Sequence, residues 1–406
     1  MELLHPHCAG LDIHKETVVA CVRHLRNGKV MTGIKTFKTT TEELIALSDW
    51  LTTEGCTHIV MEATGVYWKP VWHILSDGEF DLVLANAGHV KNVPGRKTDV
   101  NDAAWLAELM AHGLVKASFV PDQPTQQMRD LLRTRKQFGR ERSSHIQRIQ
   151  KTLEDANIKL DLVVTDVLGL SGRRILQALI AGQTVPQALA ALADRRIHAT
   201  SAQLEAALRG RVTDHHRFML KLHLDQIDAQ DAAIARIDKE VDGNVEPFRV
   251  ALEMLNGIPG VSSLSAEVII AEIGVDMSRF ETAGHLISWA GLCPRNDESA
   301  GKRRSSRMKK GAPWLSAMRL GGRRTKDSYF QAQYHRLRSR RGPKKAIGAV
   351  ASSLLTAAYH MLKSGTLYQD LGANHFNHRA KDKQALHLIH RLKNLGFNVQ
   401  ITPSAA

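Results

Sequence analysis

The stretch "CAGLDIHKETVVACVRHL", residues 8–25, decides how the amino-terminal part of this 406-residue chain is read. Residues 8–14 and 17–25 are apolar runs of strand composition, expected to lie side by side. Asp12 sits inside the first of them with an apolar neighbour on each side. An aspartate in an apolar strand is costly unless it is paired or binds a metal. Working outward, "KVMTGIKTFK" (29–38) is a third strand and "TTEELIALSDWLTTEG" (40–55) a capped helix ending at Gly55. "THIVMEA" (57–63) is a short buried strand, followed by a helix through "YWKPVWHILSDG" (67–78). "FDLVLANAG" (80–88) is another strand, and "TDVNDAAWLAELMAHG" (98–113) a helix that stops at Gly113.

Three strands, a helix, then strand–helix–strand–helix is the element order of an RNase H-like mixed sheet. Beyond it, residues 123–158 and 214–241 carry long helical periodicity and are expected to pair as an antiparallel hairpin or coiled coil. The Ala/Leu-rich stretch between them, 159–213, predicts short helices and offers no chemistry. "ALEMLNGIPGVSSLSAEVIIAEIG" (251–274) is helix, Gly-Ile-Pro-Gly turn, helix. That is the pattern of a helix-hairpin-helix element, whose turn at Gly257 and Gly260 and following helix N-terminus can hold a backbone phosphate. A purely structural helical hairpin fits the same pattern. "PKKAIGAVASSLLTAAYHMLKSG" (343–365) is an apolar helix. The expected fold is α/β plus α: an RNase H-like mixed-sheet domain over 1–122, a helical or coiled-coil region over 123–247, a mainly helical domain over 248–365, and a polar, His-rich, loosely attached tail over 366–406.

Charge is concentrated in one place. The net charge is +14, yet Gly301–Lys345 alone holds sixteen Lys and Arg against one acid, Asp327, so the rest of the chain is close to neutral. Such a segment is the footprint of a polyanion-binding surface. Trp314, Tyr329, Phe330 and Tyr334 interleave with the charges, which a device of solubility alone does not need. No apolar run reaches the roughly 18 residues of a membrane span. The start lacks a secretory pattern, and the four cysteines are scattered without a C-x-x-C, so a reducing cytoplasm is expected.

Four carboxylates fall where an RNase H-like sheet places a metal site. Asp12 lies in the first strand, Glu62 ends the apolar run "HIVMEATG", and Asp99 and Asp102 share the first turn of a helix in "KTDVNDA". Hard oxygen ligands from separate elements suit Mg²⁺, and one or two such ions serve phosphodiester cleavage. Singly, each acid also has an ordinary role: Asp99 as an N-cap, Asp102 as a dipole partner, Asp12 paired with Lys15 or Lys97. His14 is expected at solvent or in a structural contact. The stretch "DESAGKRRSSRMKKG" (297–311) then places Ser299 before Lys302, Arg303, Arg304, Arg307, Lys309 and Lys310. These cations are suited to clamp phosphates rather than to read bases.

"GLDIHK", "MEATGVYW", "KTDVNDA", "GIPGV", "WAGLCP…ESAGKRR" and "KKGAPWL" resemble, in this order, the motifs of the DEDD-type insertion-sequence transposases. These are also described as bridge-RNA-guided recombinases, with pilin-gene invertases as relatives. The resemblance covers roughly 8–120 and 250–365. It implies an amino-terminal domain like that of a Holliday-junction resolvase, a helical coiled coil and a carboxy-terminal transposase domain. It also implies that Asp12, Glu62, Asp99 and Asp102 bind Mg²⁺, and that Ser299 attacks a DNA phosphodiester and holds the strand covalently. A structured guide RNA pairing with donor and target DNA is implied too, as is a homo-oligomer, dimer or tetramer, with a composite site in the bacterial cytoplasm. Ser305 and Ser306 are rival nucleophiles that lack the preceding Pro-x-x-x-Glu frame. Two other functions stay open on the residues: a metal-dependent, structure-specific nuclease that uses water, and a non-catalytic nucleic-acid scaffold.

Overall fold

The two apolar runs around Lys15-Glu16 fold back on one another as β1 (His7–Ile13) and β2 (Thr17–Arg26), paired antiparallel from His7–His24 to Ile13–Val18. This is seen in a computed structural model that describes residues 3–399 except 27, 64, 87–89, 91–101, 295–296, 300, 306–310, 312–313, 316–324 and 377–380. The chain divides into two units, Met1–Val120 and Pro121–Ala406. In the first unit β3 (Lys29–Lys38) pairs antiparallel with β2. α1 (Thr41–Thr53) leads to β4 (His58–Glu62), and α2 (Trp68–Leu75) to β5 (Asp81–Ala85). β4 is parallel to β1 and β5 parallel to β4, giving the order β3-β2-β1-β4-β5. This is the mixed RNase H-like sheet that the element order predicts.

The period of two along each strand divides the residues between two layers. Ala9, Leu11 and Ile13 of β1 join Ile59 and Met61 in a core closed by Leu44, Leu47 and Leu51 of α1 and Val71 and Leu75 of α2. Cys8 and Val60 face the other way, under Leu106, Leu109 and Met110 of α3 (Asp102–Ala111). Both faces are covered, which is why β4 reads as an unbroken apolar run rather than an alternating one.

The second unit is helical. α4 (Gln123–Asp155) runs out for 33 residues. The chain then forms α5 (Leu160–Val163), α6 (Leu170–Ile180), α7 (Pro186–Ala190) and α8 (Ser201–Ala207), and returns as α9 (Asp214–Gly243). α4 and α9 are antiparallel: Arg135 pairs with Asp238 at 2.5 Å, Arg142 with Asp231 at 2.6 Å, and Asp155 with His216 at 2.9 Å. The short helices between them are packed on the hairpin's end through Ile149, Leu153, Leu220 and Ile227, with Ile175, Leu179, Leu189 and Leu204.

After the hairpin come α10 (Arg249–Asn256), α11 (Ser263–Ile273) and α12 (Ala283–Trp289). A small hairpin of β6 (Asp297–Ser299) and β7 (Lys302–Ser305) follows, then α13 (Tyr329–Arg341), α14 (Pro343–Ser364) and α15 (Lys381–Asn394). α11 is fastened to α4 through Glu272, whose side chain is 2% exposed. Arg133 donates to both its carboxylate oxygens at 2.9 Å, and Arg129 donates to the backbone oxygens of Ala271 and Glu272. Those carbonyls are the unpaired last acceptors of α11, so a cation meets the negative end of the helix.

Two expectations change. Three of the aromatic residues among the basic ones are structural, since Phe330 and Tyr334 are buried and Tyr329 stacks on Phe376, whereas Trp314 is half-buried with its ring centroid within 5.4 Å of Arg133, Lys136 and Arg140 of α4. The tail is also tied down at its start. Asp370 accepts from the Tyr329 amide, and Tyr368 stacks on Phe330, which seats that phenol in a desolvated position and raises its pKa.

Replacing Glu272 by Gln removes the buried anion that half-buried Arg129 and Arg133 face, and should cost about 1.5–3 kcal/mol, the scale of a lost charged hydrogen bond, in urea unfolding of the second unit. A second outcome concerns pH. His145 and His223 face each other across α4 and α9, Nδ1 to Nδ1 at 3.2 Å, which requires one neutral acceptor. Burial, His145 and Arg148 lower the His223 pKa. Stability from this group is therefore complete above the ordinary histidine value of about 6.5 and is lost as pH falls through it toward the folded pKa. The melting temperature should drop on acidification below that value, and His223→Gln should flatten the drop.

Candidate active site

β1 and β4 run parallel in register, Leu11 beside Met61, so the next residues on each strand, Asp12 and Glu62, are neighbours at the strand ends. Asp12 also pairs across with Val19 of β2, and Glu62 with Ala85 of β5. Both carboxylates belong to the sheet face that α3 covers, because Cys8 and Gly10 of the same period lie beneath that helix. α3 runs opposite to β1. The amides of Leu4 and His5 donate to Ala111 O at its far end, Cys8 Sγ donates to Ala107 O, and Gly10 lies against Ala103. The face therefore leads from Cys8 through Gly10 to Asp12 as the helix leads back from Ala111 to Asp102, its first residue. A helix N-terminus at this point favours negative charge.

Gly10 makes the close approach. A Cβ there would stand 2.2 Å from Ala103 O and 2.5 Å from Ala107 N, so the helix backbone rests directly on the strand. His14, expected at solvent or in a structural contact, has an exposed ring whose Nε2 lies 3.2 Å from Asp12 Oδ2. Asp99 lies outside the described residues. Among the described residues no group of three or more His, Cys, Asp and Glu forms a metal cage. Asp12 and Glu62 are still an all-oxygen pair, and Mg²⁺ is commonly held by one or two carboxylates with waters and substrate phosphates completing its shell. The donor set fits that ion.

The serine candidate lies in the second unit. Ser299 is the last residue of β6, paired with Lys302 of β7, and Glu298 is paired with Arg303. The connection between them is two residues long, and Gly301 takes a positive φ of 72°, which a non-glycine residue rarely adopts. The irregularity between Asp297 and Glu298 is the register shift that lets Ser305 face Asp297. Arg304 lies between Arg303 and Ser305 on β7; Ser306, Arg307, Lys309 and Lys310 lie outside the described residues. Gly257 and Gly260 lie in the turn between α10 and α11, Gly257 as the C-cap of α10 and Gly260 at φ 86°. Ser262 caps α11 by accepting from the Ser265 amide.

Sequence reasoning overlooked Gly10, Arg129, Arg133 and Glu272. A glycine between apolar strand residues signals a close backbone approach, and a glutamate in the apolar helix "AEVIIAEIG" signals a buried partner. Both signals were present.

The sheet order and the paired carboxylates at its strand ends put the amino-terminal unit in the RNase H-like class. Residues 9–158 match a family model described as "Transposase", and residues 252–319 match one described as "Transposase IS116/IS110/IS902 family", together just over half of the chain. The chain belongs to this family of insertion-sequence transposases. It is also 31% identical over 124 residues to the "Insertion element IS110 uncharacterized 43.6 kDa protein" of Streptomyces coelicolor. That match spans 29% of this chain and 30% of the relative's length.

Gly10→Ala tests the contact that builds the site. The added methyl meets helix backbone rather than a movable side chain, so α3 must lift. A loss of about 1–3 kcal/mol or more in unfolding free energy is expected, with faster amide exchange at the start of α3.

Proposed function

We propose that the protein is a DNA strand transferase of an insertion sequence that cleaves and rejoins DNA through a covalent phosphoserine. The observation that carries this is the adjacency of Asp12 and Glu62 at the sheet's strand ends, beside the N-terminal end of the helix that begins with Asp102, in a chain of the transposase family. Asp12, Glu62, Asp99 and Asp102 would hold one or two Mg²⁺ ions. Bound there, the metal supplies charge stabilisation and lowers the pKa of a coordinated oxygen.

The chain's own residues do the rest. Ser299 Oγ forms a bond to phosphorus as the bond to the departing deoxyribose oxygen breaks. The serine proton is lost and the departing oxygen takes one up. A hydroxyl needs such activation because it is a weak nucleophile at neutral pH. The second strand's oxygen then displaces Ser299 and restores it. Lys302, Arg303, Arg304, Arg307, Lys309 and Lys310 neutralise phosphates, and the turn at Gly257 and Gly260 with the N-terminus of α11 holds one. Sequence choice is assigned to a guide RNA pairing with donor and target DNA. The working species is a homo-oligomer with a composite site, in a bacterial cytoplasm that keeps the four thiols reduced. No helix among the described residues is long and apolar enough to cross a membrane.

Labelled cognate DNA ends, incubated with the protein and Mg²⁺ and run on denaturing gels, test the reading. Wild type should yield a protein–DNA adduct, Ser299→Ala none, and Asp12→Asn about a hundredfold less or lower, the scale of losing one transition-state charge stabiliser. Cleavage that survives Ser299→Ala but not Asp102→Ala would identify water as the nucleophile instead. Equal adduct in all three proteins would remove the acids and Ser299 from the chemistry.

A further inference from the structure

Along α4, between the indole of Trp314 and the first turns of α11, lies a groove of about 530 Å³. This is within the range of about 300–1,000 Å³ that small-ligand sites occupy. Leu132, Gly139 and Ser143 of α4 form its floor, and Leu264 and Val268 of α11 its side.

Gly139 is the unexpected residue. Glycine in the interior of a long helix destabilises it relative to alanine. A Cβ at Gly139 would meet no atom within 4 Å, so close packing does not require the glycine. Its missing side chain keeps the groove floor low and bares the helix backbone to whatever lies there. The helix gives up stability at a floor position whose side chain would enter open space in the groove.

The charges at the groove are as specific. Arg133, Arg135 and Arg142 are matched to Glu272, Asp238 and Asp231. Arg140, in the same stretch of α4, is exposed and has no ion pair among the described residues; its guanidinium carbon lies 5.3 Å from the Trp314 ring centroid. Ser143 and Ser144 donate back to the carbonyls of Gly139 and Arg140, which leaves their oxygens able to accept. An aromatic wall, an apolar side, hydroxyls and one unmatched guanidinium together suit a nucleobase with its phosphate.

We propose that this groove takes one unpaired nucleotide of a bound nucleic acid, with the base over Gly139 beside Trp314 and the phosphate at Arg140. The proposal rests on the nucleic-acid reading above and adds a subsite that makes no use of the carboxylates or Ser299. A base inside a duplex is stacked on both faces and paired at its edge, so only a bulged, looped or extruded nucleotide can enter.

The test uses the full chain and fluorescein-labelled hairpins with one bulged nucleotide or none, each made as RNA and as DNA. Wild type should bind the bulged hairpin about tenfold more tightly than the paired one, the scale of one stacked base. Gly139→Leu should abolish that preference while the melting temperature holds or rises, because the change favours the helix and fills the groove. Arg140→Gln should weaken the bulged hairpin more than the paired one. The RNA and DNA arms identify which nucleic acid supplies the nucleotide. A wild type without preference, or a Gly139→Leu variant that retains it, overturns the proposal. So does a lower melting temperature for Gly139→Leu, which would mean that the chain's own atoms fill the groove. Failure of all four hairpins to bind would instead overturn the nucleic-acid reading itself.

Discussion

The backbone of α3 can rest on β1 because Gly10 has no side chain, and the arrangement of the acids follows from that contact. Ala103 O and Ala107 N occupy the space a Cβ would need. With the helix this close and running opposite to the strand, the start of α3 is carried to the end of the strand that bears Asp12. The parallel register of β1 with β4 then adds Glu62. One absent methyl group and one register thus set three acids from three elements at one end of the sheet. The N-terminal end of α3 favours negative charge at that end of the sheet.

The helical unit solves a different problem with a charge instead of a gap. α11 follows a tight turn and has to be held against a helix more than a hundred residues earlier in the chain. Glu272 and the two arginines of α4 fix both its rotation and its end. An apolar contact would permit sliding along the ridge, whereas a bidentate guanidinium–carboxylate pair admits one register. The groove beside Gly139 exists because this fastening lies at the far end of α11. Trp314 fills the space next to the arginines and stops short of the helix's first turns.

Much of the sheet was legible because its signals are local. Apolar runs of five to ten residues broken by Gly55 and Gly113 gave the element order, an acid inside an apolar run marked Asp12, and an acid at the end of one marked Glu62. Contacts between distant residues were not legible in this way. Gly10 is one glycine among 29 until α3 is laid across it. The aromatic residues near the basic segment illustrate the opposite error: Phe330 and Tyr334 have the composition of a base-stacking surface, but burial against the helices claims them first. Composition reports which side chains can stack, while only packing decides what they stack on. For Ser299 the sequence offers a motif, and the fold adds the short connection between β6 and β7 with Gly301 at positive φ.

The buried thiols acquire a use from their position. Desolvation pushes the Cys8 pKa up to about 11 and the Cys56 pKa up to about 12, so neither is a nucleophile while the first unit is folded. Cys8 lies under α3 with its Sγ donating to Ala107 O, so an alkylating reagent reaches it only when that helix lifts. Its reaction rate therefore measures how often the floor beneath the carboxylates opens, a clock that is built into the sheet and needs no label.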